Sequence, residues 1–243
     1  MAAHRIHPTS IYPEQIVYED NHIMIVNKMP SEIVQGDKTG DMPLSEKIKN
    51  FIGHRDKKPG NVFCGVIHRL DRPVSGLVIF AKTSKALSRF NELFREKTIR
   101  KTYLAVVKNR PPAQAGTLTH YLLNNERSNL SRAHDKPVKD ALMAVLDYEL
   151  LASSDNYHLL KINLQTGRHH QIRAQLAAIG CPVKGDLKYG FNRTNPGGFI
   201  HLHSYRLDFL HPIKKEQVEV SALPLTDDPV WTYFAGKAGT FAR

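Results

Sequence analysis

The sequence predicts an α+β fold, a domain built on a largely antiparallel sheet. Three observations predict it. Strand patterns recur along the chain while helical ones are few, the connections between them are short, and no repeat, low-complexity linker or composition break asks for a second domain. With 243 residues, 41% of them hydrophobic, the chain can bury a substantial core. Residues 1–14 read as an irregular N-terminal arm and 15–243 as the domain, with no separate domain expected in front of it.

Ile16 to Tyr18 and His22 to Asn27, joined by the turn Glu19-Asp20-Asn21, form a hairpin pattern. Leu44 to Ile52 is a short helix, with Leu44, Ile48, Phe51 and Ile52 on one face. His54 to Asn61 is a basic loop. Phe63 to Leu70 and Leu77 to Lys82 read as strands around a charged turn. Ser84 then caps a helix whose apolar stripe is Leu87, Phe90, Leu93 and Phe94.

Lys101 to Val107, Thr117 to Leu123, Ala141 to Leu151 and Tyr157 to Leu164 supply further strands, with a polar connection at Asn124 to Asp140. Thr166 to Ile179 reads as a helix with Ile172, Leu176 and Ile179 inward and Gly180 as its stop. Phe199 to Leu210 and Gln217 to Ala222 are the last strands.

The charge balance is +11 and the pI about 9.6, which points to an anionic partner, nucleic acid first. From Lys85 to Lys108 seven basic residues stand against two acids, a pattern that suits a phosphate backbone. Two cysteines, no CxxC pair and no secretory leader indicate a cytoplasmic, reduced protein. No apolar run approaches the ~20 residues of a membrane helix. No GxGxxG, P-loop, GxSxG or HExxH occurs, so catalysis by side chains alone, without cofactor or metal, is expected.

The charged turn is His68-Arg69-Leu70-Asp71-Arg72-Pro73. An aspartate between two arginines is either a nucleophile kept ionised or a turn cap; the residues alone weigh these about evenly. Gln165-Thr166-Gly167-Arg168 leads into His169, His170, Gln171 and Arg173, a dense donor set at an expected helix start. Tyr103 and Lys101 share a strand face. His201 and His203 do so too, as in some metal sites, but no third ligand is evident.

Taken together these segments resemble the RluA class of pseudouridine synthases. The match runs in order through Val17-Tyr18-Glu19-Asp20 and Val26-Asn27-Lys28, then His68-Arg69-Leu70-Asp71 with Ser75-Gly76-Leu77, then Lys101-Thr102-Tyr103-Leu104-Ala105. It closes on Thr166-Gly167-Arg168 with His170-Gln171-Ile172-Arg173, and Gly185-Asp186.

The resemblance implies a pseudouridine synthase fold, a mixed sheet flanked by helices with an RNA-binding cleft. It implies isomerisation of uridine to pseudouridine in structured RNA, ribosomal or transfer, without metal or cofactor; a monomer with no membrane partner is expected beside it. Asp71 would be the nucleophile, Arg168 its charge partner, and Tyr103 would stack near the uracil and help remove the proton from carbon 5. Arg69 would fill the space of the flipped nucleotide, with His68, Arg72, Lys101, His170, Arg173 and Lys28 binding substrate around it. Two rivals stand beside this reading. One is an RNA-binding module without catalysis. The other is a nuclease using His169 and His170, or a metal enzyme using His201 and His203.

Overall fold

The run Leu77-Val78-Ile79-Phe80 is apolar on both faces because its strand is covered on both faces. In the computed structural model, which describes residues 9–237, this strand is β4 (Ser75–Ala81), and all seven of its residues are buried. Leu77, Ile79 and Ala81 pack with Ala86 and Phe90 of helix α2 (Ser84–Glu96). The alternate residues, Val78 and Phe80, pack with Leu44, Ile48 and Ile52 of helix α1 (Leu44–Arg55). The same two-residue alternation governs β5 (Arg100–Val107). Tyr103, Ala105 and Val107 face the cluster holding Ile172 and Leu176 of α3 (Gln171–Ala178), whereas Leu104 and Val106 face Trp231 and Phe234 of α4 (Pro229–Lys237).

The remaining strands are β1 (Ile16–Glu19), β2 (Ile23–Lys28), β3 (Gly65–Val66), β6 (Ala115–Asn125), β7 (Leu130–His134), β8 (Leu142–Ser153), β9 (His158–Leu164), β10 (Leu202–Leu210) and β11 (Gln217–Ser221). Among the described residues, one sheet runs β1-β2-β4-β10-β5-β9-β8-β6-β7, with β3 beside β4 and β11 beside β10. All pairings are antiparallel except β4 with β10, so the sheet is mixed and largely antiparallel, as expected.

The parallel seam is unusually close. Gly76 sits at φ +115, and a Cβ there would lie 2.4 Å from the backbone nitrogen and oxygen of Ser204. Only glycine allows this approach. It sets the start of β4, and with it the charged turn, against the middle of the sheet.

Several boundaries differ from the sequence reading. The strand expected at Phe63 to Leu70 shrinks to β3, because His68 Nε2 accepts the Ile79 N–H at 3.0 Å in place of a partner strand's carbonyl. Thr83 caps α2, not Ser84; its hydroxyl accepts from the Ala86 N–H at 3.1 Å. The helix expected from Thr166 starts at Gln171, after His170 in the left-handed conformation (φ 51). The polar stretch Asn124 to Asp140 contains β7, paired along β6. Helix α4 follows Asp228, whose carboxylate accepts from the Val230 and Trp231 N–H groups. Residues 1–8 of the expected arm lie outside the described residues.

Candidate active site

Asp71 follows the irregular segment after β3 and precedes β4, and the turn closes with the Val74 N–H donating to the Asp71 carbonyl at 3.0 Å. Leu70 and Val74 anchor the turn in the core on either side of the acid. Its carboxylate is 30% exposed and opens into a cleft of about 360 Å³. Arg69, Tyr103, Arg168 and His170 also line that cleft.

The cation on Asp71 is Arg173, not Arg168. Arg173 Nη1 donates to Asp71 Oδ2 at 2.8 Å. The rest of the same guanidinium forks onto Asp186, with Nε to Oδ2 at 2.6 Å and Nη2 to Oδ1 at 2.9 Å. Asp186 is 1% exposed, and among the described residues its charge is neutralised only through this fork. One planar group thus ties the acid at the turn to a buried acid behind it. Helix geometry explains the exchange of roles. Arg173 lies within α3 and points into the cleft, whereas Arg168 lies in the loop before it and its Nε donates to the Met143 carbonyl at 3.1 Å. Asp186 is part of the family pattern in the sequence, but nothing there gave it this role.

His170 stands behind Asp71, with Nε2 3.4 Å from Oδ2, and its Nδ1 meets the Tyr189 hydroxyl at 3.0 Å. The Tyr189 hydroxyl accepts the Ser131 N–H at 2.8 Å, which ties β7 to the site. Burial pushes the His170 imidazole down to about 3, so it is neutral beside the acid at physiological pH. His169 stacks on it, ring centroids 3.8 Å apart.

Tyr103 is buried, and burial pushes its phenol up to about 12, helped by the charge of Asp71. Its hydroxyl therefore keeps its proton in the resting cleft. Lys101 reaches the same cleft over the Phe94 ring, and burial lowers its pKa. Arg69 is exposed at the rim.

Two expected substrate contacts, Lys28 and Arg72, face elsewhere, and a third, His68, is in the cleft with one ring nitrogen already engaged. Lys28 is 1% exposed, and its ammonium donates to the carbonyls of Met29, Glu32 and Arg72. It fastens the charged turn to β2 instead of facing the cleft, and burial lowers it to about 7. Arg72 turns away to Asp41 and Thr39. His68 lines the cleft but spends Nε2 on Ile79, stacks on Phe94 and is pushed down to about 3 by burial.

His201 and His203 do not form a shared pocket of ligands. His201 is engaged by Asn195 and Asp228, and His203 by Ser75 and the Ala222 carbonyl. Among the described residues no three His, Cys, Asp or Glu side chains are gathered to hold a metal ion.

Comparison with known proteins places the chain in a family. A family model described as RNA pseudouridylate synthase matches residues 22–178. Ribosomal large subunit pseudouridine synthase C of Rickettsia prowazekii (strain Madrid E) is 29% identical over 216 residues, 87% of this chain and 68% of that protein. The tRNA pseudouridine synthase C of Haemophilus influenzae (strain ATCC 51907 / DSM 11121 / KW20 / Rd) is 30% identical over 229 residues, 86% of this chain and 92% of that protein. Human RNA Pseudouridylate Synthase Domain Containing 4 shares the fold, with a TM-score of 0.74 at 20% identity, covering 91% of this chain and 92% of that one. On this match and its motifs, the chain belongs to the RNA pseudouridine synthase family, in its RluA class.

Proposed function

We propose that the chain isomerises uridine to pseudouridine in a structured ribosomal or transfer RNA, with Asp71 as nucleophile, Arg173 as its charge partner and Tyr103 against the uracil. The observation that carries this reading is the Asp71–Arg173–Asp186 array at 2.8, 2.6 and 2.9 Å, opening into a cleft of a size for one base. Relatives named for ribosomal RNA and for transfer RNA support either substrate.

The reaction needs no co-reactant. The bond from N1 to the ribose breaks, the uracil turns within the cleft, and carbon 5 bonds to the ribose. Carbon 5 loses a proton and N1 gains one, so atoms and electrons balance inside the substrate. Asp71 attacks as a carboxylate whose charge Arg173 offsets in a semi-buried site. Its unpaired oxygen, Oδ1, is the one free to form the covalent bond, since Oδ2 faces Arg173 and His170. The resting Tyr103 phenol donates to charge developing on the uracil or on Asp71, and accepts the carbon 5 proton only as it gives up its own. The target base must leave its stack, at a cost of a few kcal/mol. Arg69 at the rim occupies the space the base vacates, and basic residues around the cleft supply binding energy to offset that cost.

The test is a transcriptome-wide pseudouridine map from cells with the gene, without it, and with Asp71→Asn alone. One or a few sites should vanish in both mutants. An unchanged map in the Asp71→Asn strain would remove Asp71 from the mechanism. An unchanged map in both strains, with RNA binding retained, would favour a binding module.

A further inference from the structure

The cleft around Asp71 is not alone: a larger cavity lies beside it. A groove of about 750 Å³ lies on the opposite side of the sheet, over β5, β9 and β10. Strand alternation fixes the side. Thr102 and Leu104 of β5, and Lys161 and Asn163 of β9, point into the groove, while Tyr103 and Ile162 face α3. Phe94, Arg95, Lys97, Ile99 and Arg100, from the last turn of α2 to the first residue of β5, form one wall.

The groove and the cleft are neighbours. Phe94, Lys101, Leu164, Gly167 and Arg168 line both, so the two cavities adjoin at the end of the sheet. The wall is strongly basic. Arg95, Lys97 and Arg100 are exposed along it, and among the described residues none of the three makes an ion pair. Arg206 and Lys161 add cations partly offset by Glu219 and Glu149, and Asp208 is the lone acid in the lining. A stable fold does not require three unpaired cations beside an apolar floor of Leu104 and Leu151. Their charge is complementary to a polyanion passing over that floor.

We propose that this groove is a second RNA site, which takes the single-stranded nucleotides flanking the target uridine and leads the strand from the cleft around the sheet end to its far face. The inference rests on the reading of Asp71's cleft as the uridine site. At about 750 Å³ against about 360 Å³, the groove has room for more of the strand than the cleft that takes the target base. Arg168, displaced from Asp71, then stands at the junction as a guide for the phosphate between cleft and groove.

The experiment measures affinity for labelled oligouridylates of 1, 3, 6 and 12 nucleotides. Asp71→Asn protein is the background, so that no turnover intervenes. Arg95→Gln/Arg100→Gln is compared with Lys108→Gln/Arg110→Gln, which removes the same charge at the other end of β5. In the parent, affinity should climb steeply from one to three nucleotides and more slowly after that. The groove variant should lose that climb while binding uridine monophosphate unchanged, and the control variant should keep it. Two lost phosphate contacts lower the single-strand salt slope by about 1.4, so the parent should lose about sevenfold more affinity than the groove variant between 50 and 200 mM salt. Equal losses in the two variants, or the same loss at every length, would reduce the groove to part of a diffuse field and overturn the proposal. Binding is read without catalysis. A chain that shows the length dependence but leaves uridine unchanged in RNA therefore keeps the groove and loses the proposed reaction.

Discussion

Arg173 holds two carboxylates with one guanidinium, so its loss is felt twice. Arg173→Met leaves Asp186 buried without a cation, which costs about 3–5 kcal/mol of stability, and it leaves Asp71 unsupported. The variant is expected to be inactive and to melt well below the parent. Arg168→Met should lose about 1 kcal/mol or less, the worth of one hydrogen bond to the Met143 carbonyl. It should raise KM for RNA while largely sparing kcat. Thermal melts and steady-state kinetics on one RNA separate the two, and a folded Arg168→Met protein with kcat abolished would return Arg168 to the chemistry.

The residue types of the site were legible in the sequence, since Asp71, Tyr103 and the arginine cluster stand in ordered motifs. Which arginine faces Asp71 was not. That depends on where α3 begins, and a left-handed His170 moves its start five residues past the expected one. Lys28 was equally opaque. A lysine after an apolar strand reads as exposed until three backbone carbonyls are found around its ammonium.

At the scale of elements, the seam between β4 and β10 is the most exacting junction. Gly76→Ala places a methyl group 2.4 Å from the Ser204 backbone and demands a φ of +115 from alanine. Backbone strain alone is worth about 1–3 kcal/mol, and the clash adds to it by prying the two strands apart. Gly180→Ala, at φ +73 with nothing within 4 Å of the added atom, meets only the conformational cost. Denaturant melts should therefore rank Gly76→Ala well below Gly180→Ala, and equal midpoints would mean that the seam relaxes freely.

Periodicity revealed β2, β4, β5 and both long helices before the turn motifs were considered, because each buries a regular stripe. It missed β7 and α4 for different reasons. The β7 strand is polar and draws its stability from pairing with β6 and from the Ser131–Tyr189 contact. Helix α4 is nine residues long, too short for a stripe to stand out, although Asp228-Pro229 is a sound start signal.

For the whole molecule, histidines held neutral by burial set the response to acid. His68 and His170 are held down to about 3 and His203 to about 4, chiefly by burial, against 6.5 in the unfolded chain. Between pH 6.5 and 4 the unfolded state takes up protons that the folded state refuses, so stability falls as pH falls through that window. Asp228, held down to about 2 despite its partial burial by His201 and the α4 backbone, adds its own loss only below about pH 4. Melting temperature at constant ionic strength should decline from pH 6.5 downward, before carboxylates titrate. A flat profile from pH 7 to 5 would show that these rings protonate without unfolding.

The pair Asp71–Arg173 spans 102 residues of chain, and Ser75–His203 spans 128. During synthesis the acid emerges long before the arginine that holds it, and β4 waits for β10 to complete the middle of the sheet. Contacts so distant in sequence form late, because their loop entropy must be met first. Catalytic competence therefore arrives with the last strands of the fold, and a partly made chain can expose its aspartate without yet presenting an enzyme to RNA.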